Sequence, residues 1–176
     1  MSINIVELLC KLLSIYLMKK KQEEAIDLIL EVCIKMLEGG NLECQERFLE
    51  VFKDSQNLKV IEKIHYLLNE KLGFFSKLMT NQNSDTFQNM IHGDHHYNDY
   101  TKKNAEDPKS VENFCIQIFK FLQLLCEGHN NRLQNYLRNQ VCELSEEDRK
   151  TVVVRNFDLI QLTVEYFGSY SKFFNV

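Results

Sequence analysis

One proline and six glycines are spread over 176 residues, so few positions in this chain interrupt a long helix. Leu, Ile, Glu, Lys and Gln are abundant, and all of them favour helix over strand. Apolar residues recur at i, i+3 and i+4, the spacing of a helix with one buried face. No strand-length window alternates apolar and polar residues, and no hairpin signal such as Asn-Gly is present. These patterns predict an all-α fold.

The apolar spacing predicts helices joined by short turns, which favour antiparallel neighbours. We expect one helical domain over residues 1–176, cut from a larger protein. Its architecture is predicted to be an armadillo-like helical repeat (α-solenoid) of about six to eight helices with one long polar loop. The predicted helices span 3–20, 22–38, 42–53, 58–80, 108 to the corner at Gly128, a helix that follows Asn130 or Asn131, and 152–174, with 142–150 as a link or short helix.

The apolar spacing also predicts which residues of each helix face inward. For the second helix, the predicted inner residues are Ala25, Leu28, Ile29, Val32, Cys33 and Met36. For the last helix, they are Val153, Phe157, Ile160, Leu162, Val164 and Phe167. In the fourth helix, Gly73 is a candidate interruption.

Residues 81–107 are rich in Asn, Asp, Gln, Ser, Thr and His, which predicts a flexible polar loop. The loop contains His92, His95 and His96 with Asp94 and Asp99, and such side chains are able to bind zinc or copper. A polar loop that happens to contain histidines is the favoured interpretation, because a metal site needs rigid surroundings.

Charge and cysteine content exclude several classes of protein. The net charge of −4 argues against a nucleic-acid partner, which would require a basic face. The stretch from Ile3 to Met18 is amphipathic and too polar to span a bilayer, so no direct membrane insertion is expected. The six cysteines form no CxxC pair and are interpreted as reduced, mostly buried thiols.

The segment from Phe121 to Gln140 is predicted to be two helices that meet at a corner. Gly128 is expected to end the first helix, because glycine adopts a left-handed backbone without steric cost. Asn130 or Asn131 is the predicted cap of the second. The expected inner faces are Phe121, Leu122 and Leu125 before the corner, and Leu133, Tyr136 and Leu137 after it.

Glu127 lies at the corner, where the negative end of the helix dipole disfavours a carboxylate by up to about 1 kcal/mol. One interpretation is a solvated glutamate at a helix end. The other is a carboxylate held for a cation, with carboxylate and backbone carbonyl oxygens of the type that calcium prefers.

The letters FLQLLCEGHNNRLQNYLRNQ resemble a segment of the intracellular calcium-release channels, the ryanodine and inositol trisphosphate receptors. There this segment belongs to the RIH-associated cytosolic helical domain. The turn at Gly39, Gly40 and Asn41 and the letters NFDLIQLTVEY from Asn156 are similar to flanking parts of the same channels. The resemblance covers roughly residues 35–175, with 81–107 unmatched.

The resemblance implies a cytosolic regulatory and coupling domain of a ligand-gated calcium-release channel, which transmits ligand and calcium binding to the pore. It implies a homotetramer on the cytosolic face of the endoplasmic or sarcoplasmic reticulum, with other domains of the same channel, including its C-terminal domain, as partners. Glu127 is then a calcium ligand and His129 lies in the surrounding shell. The site is partial, and weak or absent in the isolated chain, because a second glutamate and a carbonyl come from elsewhere.

No P-loop, GxGxxG, HExxH or GxSxG motif is present, so no enzyme is predicted and no catalytic residue is assigned. Cys126 and His129 could form a thiolate–imidazolium pair, but a core cysteine beside a histidine is the favoured interpretation. The alternative function is a soluble helical-repeat scaffold that binds other proteins and has no calcium role.

Overall fold

The computed structural model describes residues 4–17, 23–53, 59–80, 108–140 and 156–174. These residues form seven α-helices and one short 3₁₀ turn, and no strand occurs among them. The helices are α1 (Ile5–Tyr16), α2 (Glu23–Leu37), α3 (Leu42–Lys53), α4 (Lys59–Thr80), α5 (Pro108–Leu125), α6 (Asn131–Arg138) and α7 (Leu159–Phe174). The predicted all-α repeat of helices is confirmed. The predicted loop at 81–107, with its histidines, lies outside the described residues.

Side chains from all seven helices share one hydrophobic core. Helix α1 contacts α2, α3 and α4, while α2 also packs on α5 and α4 packs on α7. A groove places Ile5 of α1 beside Met36 of α2, so these two helices run antiparallel as predicted. The largest fully buried side chains are Tyr136, Phe48, Phe52, Phe121, Leu13, Leu30, Leu37, Leu49, Ile61, Ile64 and Leu68.

The buried face of α2 differs from the prediction. Ile29 and Cys33 are buried as predicted, but Leu28 is 64% exposed and Val32 is 44% exposed. The rest of the buried face is formed by residues that were not predicted to be inside, among them Ile26, Leu30 and Leu37. Apolar residues occupy so much of this helix that its sequence allows several stripes, and packing against α5 selects one of them. The sequence pattern alone was therefore ambiguous at this helix.

The last helix also differs, because α7 begins at Leu159 and residues 156–158 are not helical. Asp158 caps the helix, since its Oδ1 accepts a hydrogen bond from the Gln161 backbone N–H at 2.8 Å. Val164 and Phe167, both predicted to be inside, are exposed. Residue 153 lies outside the described part.

Helix α4 continues through Gly73 without the interruption that was predicted. A glycine inside a helix costs about 1 kcal/mol relative to alanine, which the buried residues before it offset. None of the helices in the described ranges is long and apolar enough to cross a membrane.

Candidate functional site

The predicted corner connects α5 to α6 through a tight turn. Helix α5 ends at Leu125, slightly before Gly128, and residues Glu127–His129 form the 3₁₀ turn. Gly128 has φ +69° and His129 has φ +60°, so two successive residues adopt the left-handed backbone. The glycine pays no steric cost there, whereas the histidine is strained. The left-handed backbone predicted at Gly128 is confirmed, whereas α5 ends three residues before the glycine that was expected to end it.

Asn130 is the cap of α6, one of the two residues that the sequence offered. Its Oδ1 accepts a hydrogen bond from the Leu133 backbone N–H at 3.1 Å. The predicted inner faces on both sides of the corner are also confirmed, since all six side chains are buried: Phe121, Leu122, Leu125, Leu133, Tyr136 and Leu137.

Glu127 and His129 are both exposed on the outer side of the corner. Within the described part of the chain, the Glu127 carboxylate has no hydrogen-bond or ion-pair partner. It lies just beyond the C-terminal end of α5, where the helix dipole is unfavourable, but solvent weakens this effect. The corner therefore presents a free, hydrated carboxylate to whatever approaches it.

Three backbone carbonyls of the corner accept hydrogen bonds from inside the protein. The Gln45 Nε2 donates to the Leu124 carbonyl at 2.8 Å and to the Glu127 carbonyl at 3.1 Å. The Gln134 Nε2 donates to the Cys126 carbonyl at 3.2 Å. These three carbonyls are engaged internally, whereas the Glu127 carboxylate is exposed and has no internal partner among the described residues.

Gln45 is a site residue that the sequence interpretation missed. It lies on α3 and is 1% exposed, and its Oε1 accepts a hydrogen bond from the Asn130 Nδ2 at 3.0 Å. The signal was a polar residue on a stripe that continues with Phe48, Leu49 and Phe52 at helical spacing. A buried amide on an apolar stripe indicates a specific polar partner.

The Gly-Gly-Asn turn between α2 and α3 lies beside the corner. Gly39 and Gly40 have φ values of +78° and +69°, which glycine accepts without strain. A Cβ atom built on Gly40 would lie 4.0 Å from the Glu127 Cγ, so the Glu127 side chain rests against this turn. Asn41 caps α3, because its Oδ1 accepts a hydrogen bond from the Cys44 backbone N–H at 3.1 Å.

The donor set fits only part of a calcium site. Calcium takes roughly six to eight oxygen ligands. Within the ranges that the structure describes, no group of three or more His, Cys, Asp or Glu side chains could hold a metal ion. Glu127 would supply one carboxylate, and the remaining oxygens would have to come from water or from another surface.

The Cys126–His129 pair lacks the features of a reactive thiolate. Burial raises the pKa of the Cys126 thiol to about 11, so the neutral thiol dominates near pH 7. No hydrogen bond joins the two side chains. This geometry favours the interpretation of Cys126 as a packed core thiol.

Residues 109–175 match the family described as RyR and IP3R Homology associated. The matched range contains α5 from its second residue onward, the corner with Glu127 and His129, and all of α6 and α7. Helices α1 to α4 lie outside it. The predicted resemblance to the RIH-associated domain of calcium-release channels is therefore confirmed over this range. The match does not reach the Gly-Gly-Asn turn, and no solved structure gives a significant match to the chain.

Proposed function

We propose that this chain is a regulatory and coupling segment of an intracellular calcium-release channel. The family matched by residues 109–175 is named for such channels, and not for enzymes. The further proposal is that Glu127 contributes a carboxylate to the activating calcium site of that channel, with His129 close by. The observation that carries it is the exposed, unpartnered Glu127 carboxylate on a corner whose backbone is fixed from inside.

A calcium ion at this corner would supply a divalent charge that draws Glu127 and oxygens of a second surface together. Glu127 alone binds too weakly to retain the ion, so affinity depends on how closely that second surface approaches. Calcium then favours the arrangement in which both sets of ligands meet, and this preference biases the gate. The proposed second surface is the C-terminal domain of the same channel, within a homotetramer in the reticulum membrane.

The test replaces Glu127 with glutamine in the full-length channel and measures calcium release from reticulum vesicles against free calcium concentration. Loss of one carboxylate ligand is expected to raise the activating concentration about tenfold or more, since tenfold corresponds to about 1.4 kcal/mol. Glu165→Gln is the matched control, because Glu165 is also exposed and lies in the same matched range. Equal calcium curves for Glu127→Gln and the unmodified channel would refute the calcium role.

The competing function is a helical scaffold that binds proteins without calcium. It is distinguished by the native size and location of the protein, detected with an antibody against residues 81–107 in fractionated cells. A band of several hundred kilodaltons in the reticulum membrane fraction supports the channel. A band in the soluble fraction near the 20.9 kDa of this chain supports the scaffold.

A further inference from the structure

Helix α3 is bonded to the corner through one buried amide. The two hydrogens of the Gln45 Nε2 reach the carbonyls of Leu124 and Glu127, and its Oε1 receives the Asn130 side chain. Gln45 thus contacts the end of α5, the 3₁₀ turn and the cap of α6 at the same time. Only an amide of this length offers two donors and an acceptor in one plane.

The same helix lies along both arms of the corner. Phe48 packs edge-on against Phe121 of α5, with ring centroids 5.5 Å apart. Phe52 stacks on Tyr136 of α6 at 6.4 Å, and the Tyr136 hydroxyl donates to the Phe52 carbonyl at 2.8 Å. Because α5 and α6 both pack on α3, the corner between them cannot move independently of α3.

Glu127 is held from two sides as a consequence. Its backbone carbonyl is bonded to Gln45, while its side chain rests against Gly40 at the start of α3. A shift of α3 would therefore move the Glu127 backbone and also change the direction in which its side chain extends.

We propose that Gln45 is a positioning residue for the Glu127 carboxylate, acting through the corner backbone. The fixing of that backbone stands on the hydrogen bonds alone. Its consequence for calcium activation rests on the proposed calcium role of Glu127. Gln45 itself is buried and does not touch the ion.

The first experiment measures backbone amide exchange on the 176-residue chain. Gln45→Met keeps the length of the side chain and removes its hydrogen bonds. We expect amide exchange at residues 126–130 to accelerate about tenfold or more, because their local opening becomes easier. Ile64→Val is the control, since it weakens a buried site on α4 and should leave the corner amides at their original rates.

A second variant covers the case in which Gln45→Met fails to fold. Asn130→Asp keeps the oxygen that caps α6 and replaces the Nδ2 donor with a carboxylate oxygen that faces the Gln45 Oε1. Faster exchange at the same amides is expected, because two acceptors then oppose each other at a buried position. Unchanged corner exchange in a folded Gln45 or Asn130 variant overturns the positioning role.

The second experiment measures calcium activation of the full-length channel with Gln45→Met, Glu127→Gln and the double variant. Gln45→Met should raise the activating calcium concentration about fivefold with the maximal release unchanged. The double variant should show no further shift beyond Glu127→Gln, because both changes act on one carboxylate. Additive shifts would overturn the link between Gln45 and that carboxylate.

The two proposals fail in different ways. If Glu127→Gln leaves calcium activation unchanged, the calcium role is lost, and the expected effect of Gln45→Met on calcium activation is lost with it. The amide exchange result then decides by itself whether Gln45 positions the corner.

Discussion

Replacing Gln140 with leucine should separate α6 from α7 and destabilise the domain. Gln140 is 2% exposed and follows the end of α6. Its Nε2 donates to the Tyr136 carbonyl at 2.7 Å and to the Phe157 carbonyl at 3.0 Å, and its Oε1 accepts from the Phe157 backbone N–H at 2.6 Å. One side chain thus joins two segments that are far apart in sequence.

The magnitude follows from these three bonds. Each hydrogen bond contributes about 1 kcal/mol net, and leucine would leave partly buried backbone groups at Phe157 without their partner. The expected loss in free energy of unfolding is about 2–4 kcal/mol. With a urea m value of about 3 kcal/mol/M, the unfolding midpoint falls by about 1 M.

The assay is urea unfolding followed by circular dichroism, with Gln161→Leu as the control. Gln161 is exposed on α7, and its side chain bonds only the neighbouring Glu165 side chain among the described residues, so loss of that side-chain amide should change stability by about 0.5 kcal/mol or less. Equal midpoints for the Gln140 and Gln161 variants would refute the claim that Gln140 holds the two helices together.

Two further predictions concern the buried tyrosine and the thiols. Tyr136→Phe should cost about 1–2 kcal/mol, because it leaves the Phe52 carbonyl at the end of α3 without its donor; thermal unfolding measures this, and the exposed Tyr66→Phe is the control. Burial raises the pKa of Cys33 to about 12 and that of Cys126 to about 11, above the ordinary value of 9.0. Because the unfolded thiols ionise first, stability should be intact below pH 9 and fall as the pH rises from about 9 to 11. Urea unfolding at pH 8 and pH 10 tests this, and a smaller decline is expected for Cys126→Ala; an unchanged decline would contradict the assignment to that thiol.

Local rules were sufficient for the corner itself. Gly128 was predicted from its freedom to adopt positive φ, and Asn130 from its ability to bond a free N–H at a helix start. Both depend on neighbours within a few residues, which a sequence displays directly. The role of Glu127 in binding calcium stays a prediction, since its exposed carboxylate is compatible with solvation alone.

Long-range polar contacts were not predictable in the same way. Gln45 bonds residues about eighty positions away, and Gln140 bonds Phe157 across a segment outside the described residues. A glutamine is common on helix surfaces, so neither residue differs from a solvated side chain until packing is known. The buried face of α2 failed for a related reason, because α5 selects among several apolar stripes.

The backbone oxygens and the carboxylate oxygens of the corner have different surroundings. The carbonyls of Leu124 and Glu127 are bonded to Gln45 inside the protein, where a lost hydrogen bond is costly, so they hold the backbone still. The Glu127 carboxylate stays hydrated and free, so no internal ion pair has to break before it meets a cation. A single carboxylate binds a cation weakly alone, but the fixed backbone beneath it loses little conformational entropy when a second surface adds further ligands. Such a corner is therefore suited to respond to the approach of another domain, and less suited to storing an ion by itself.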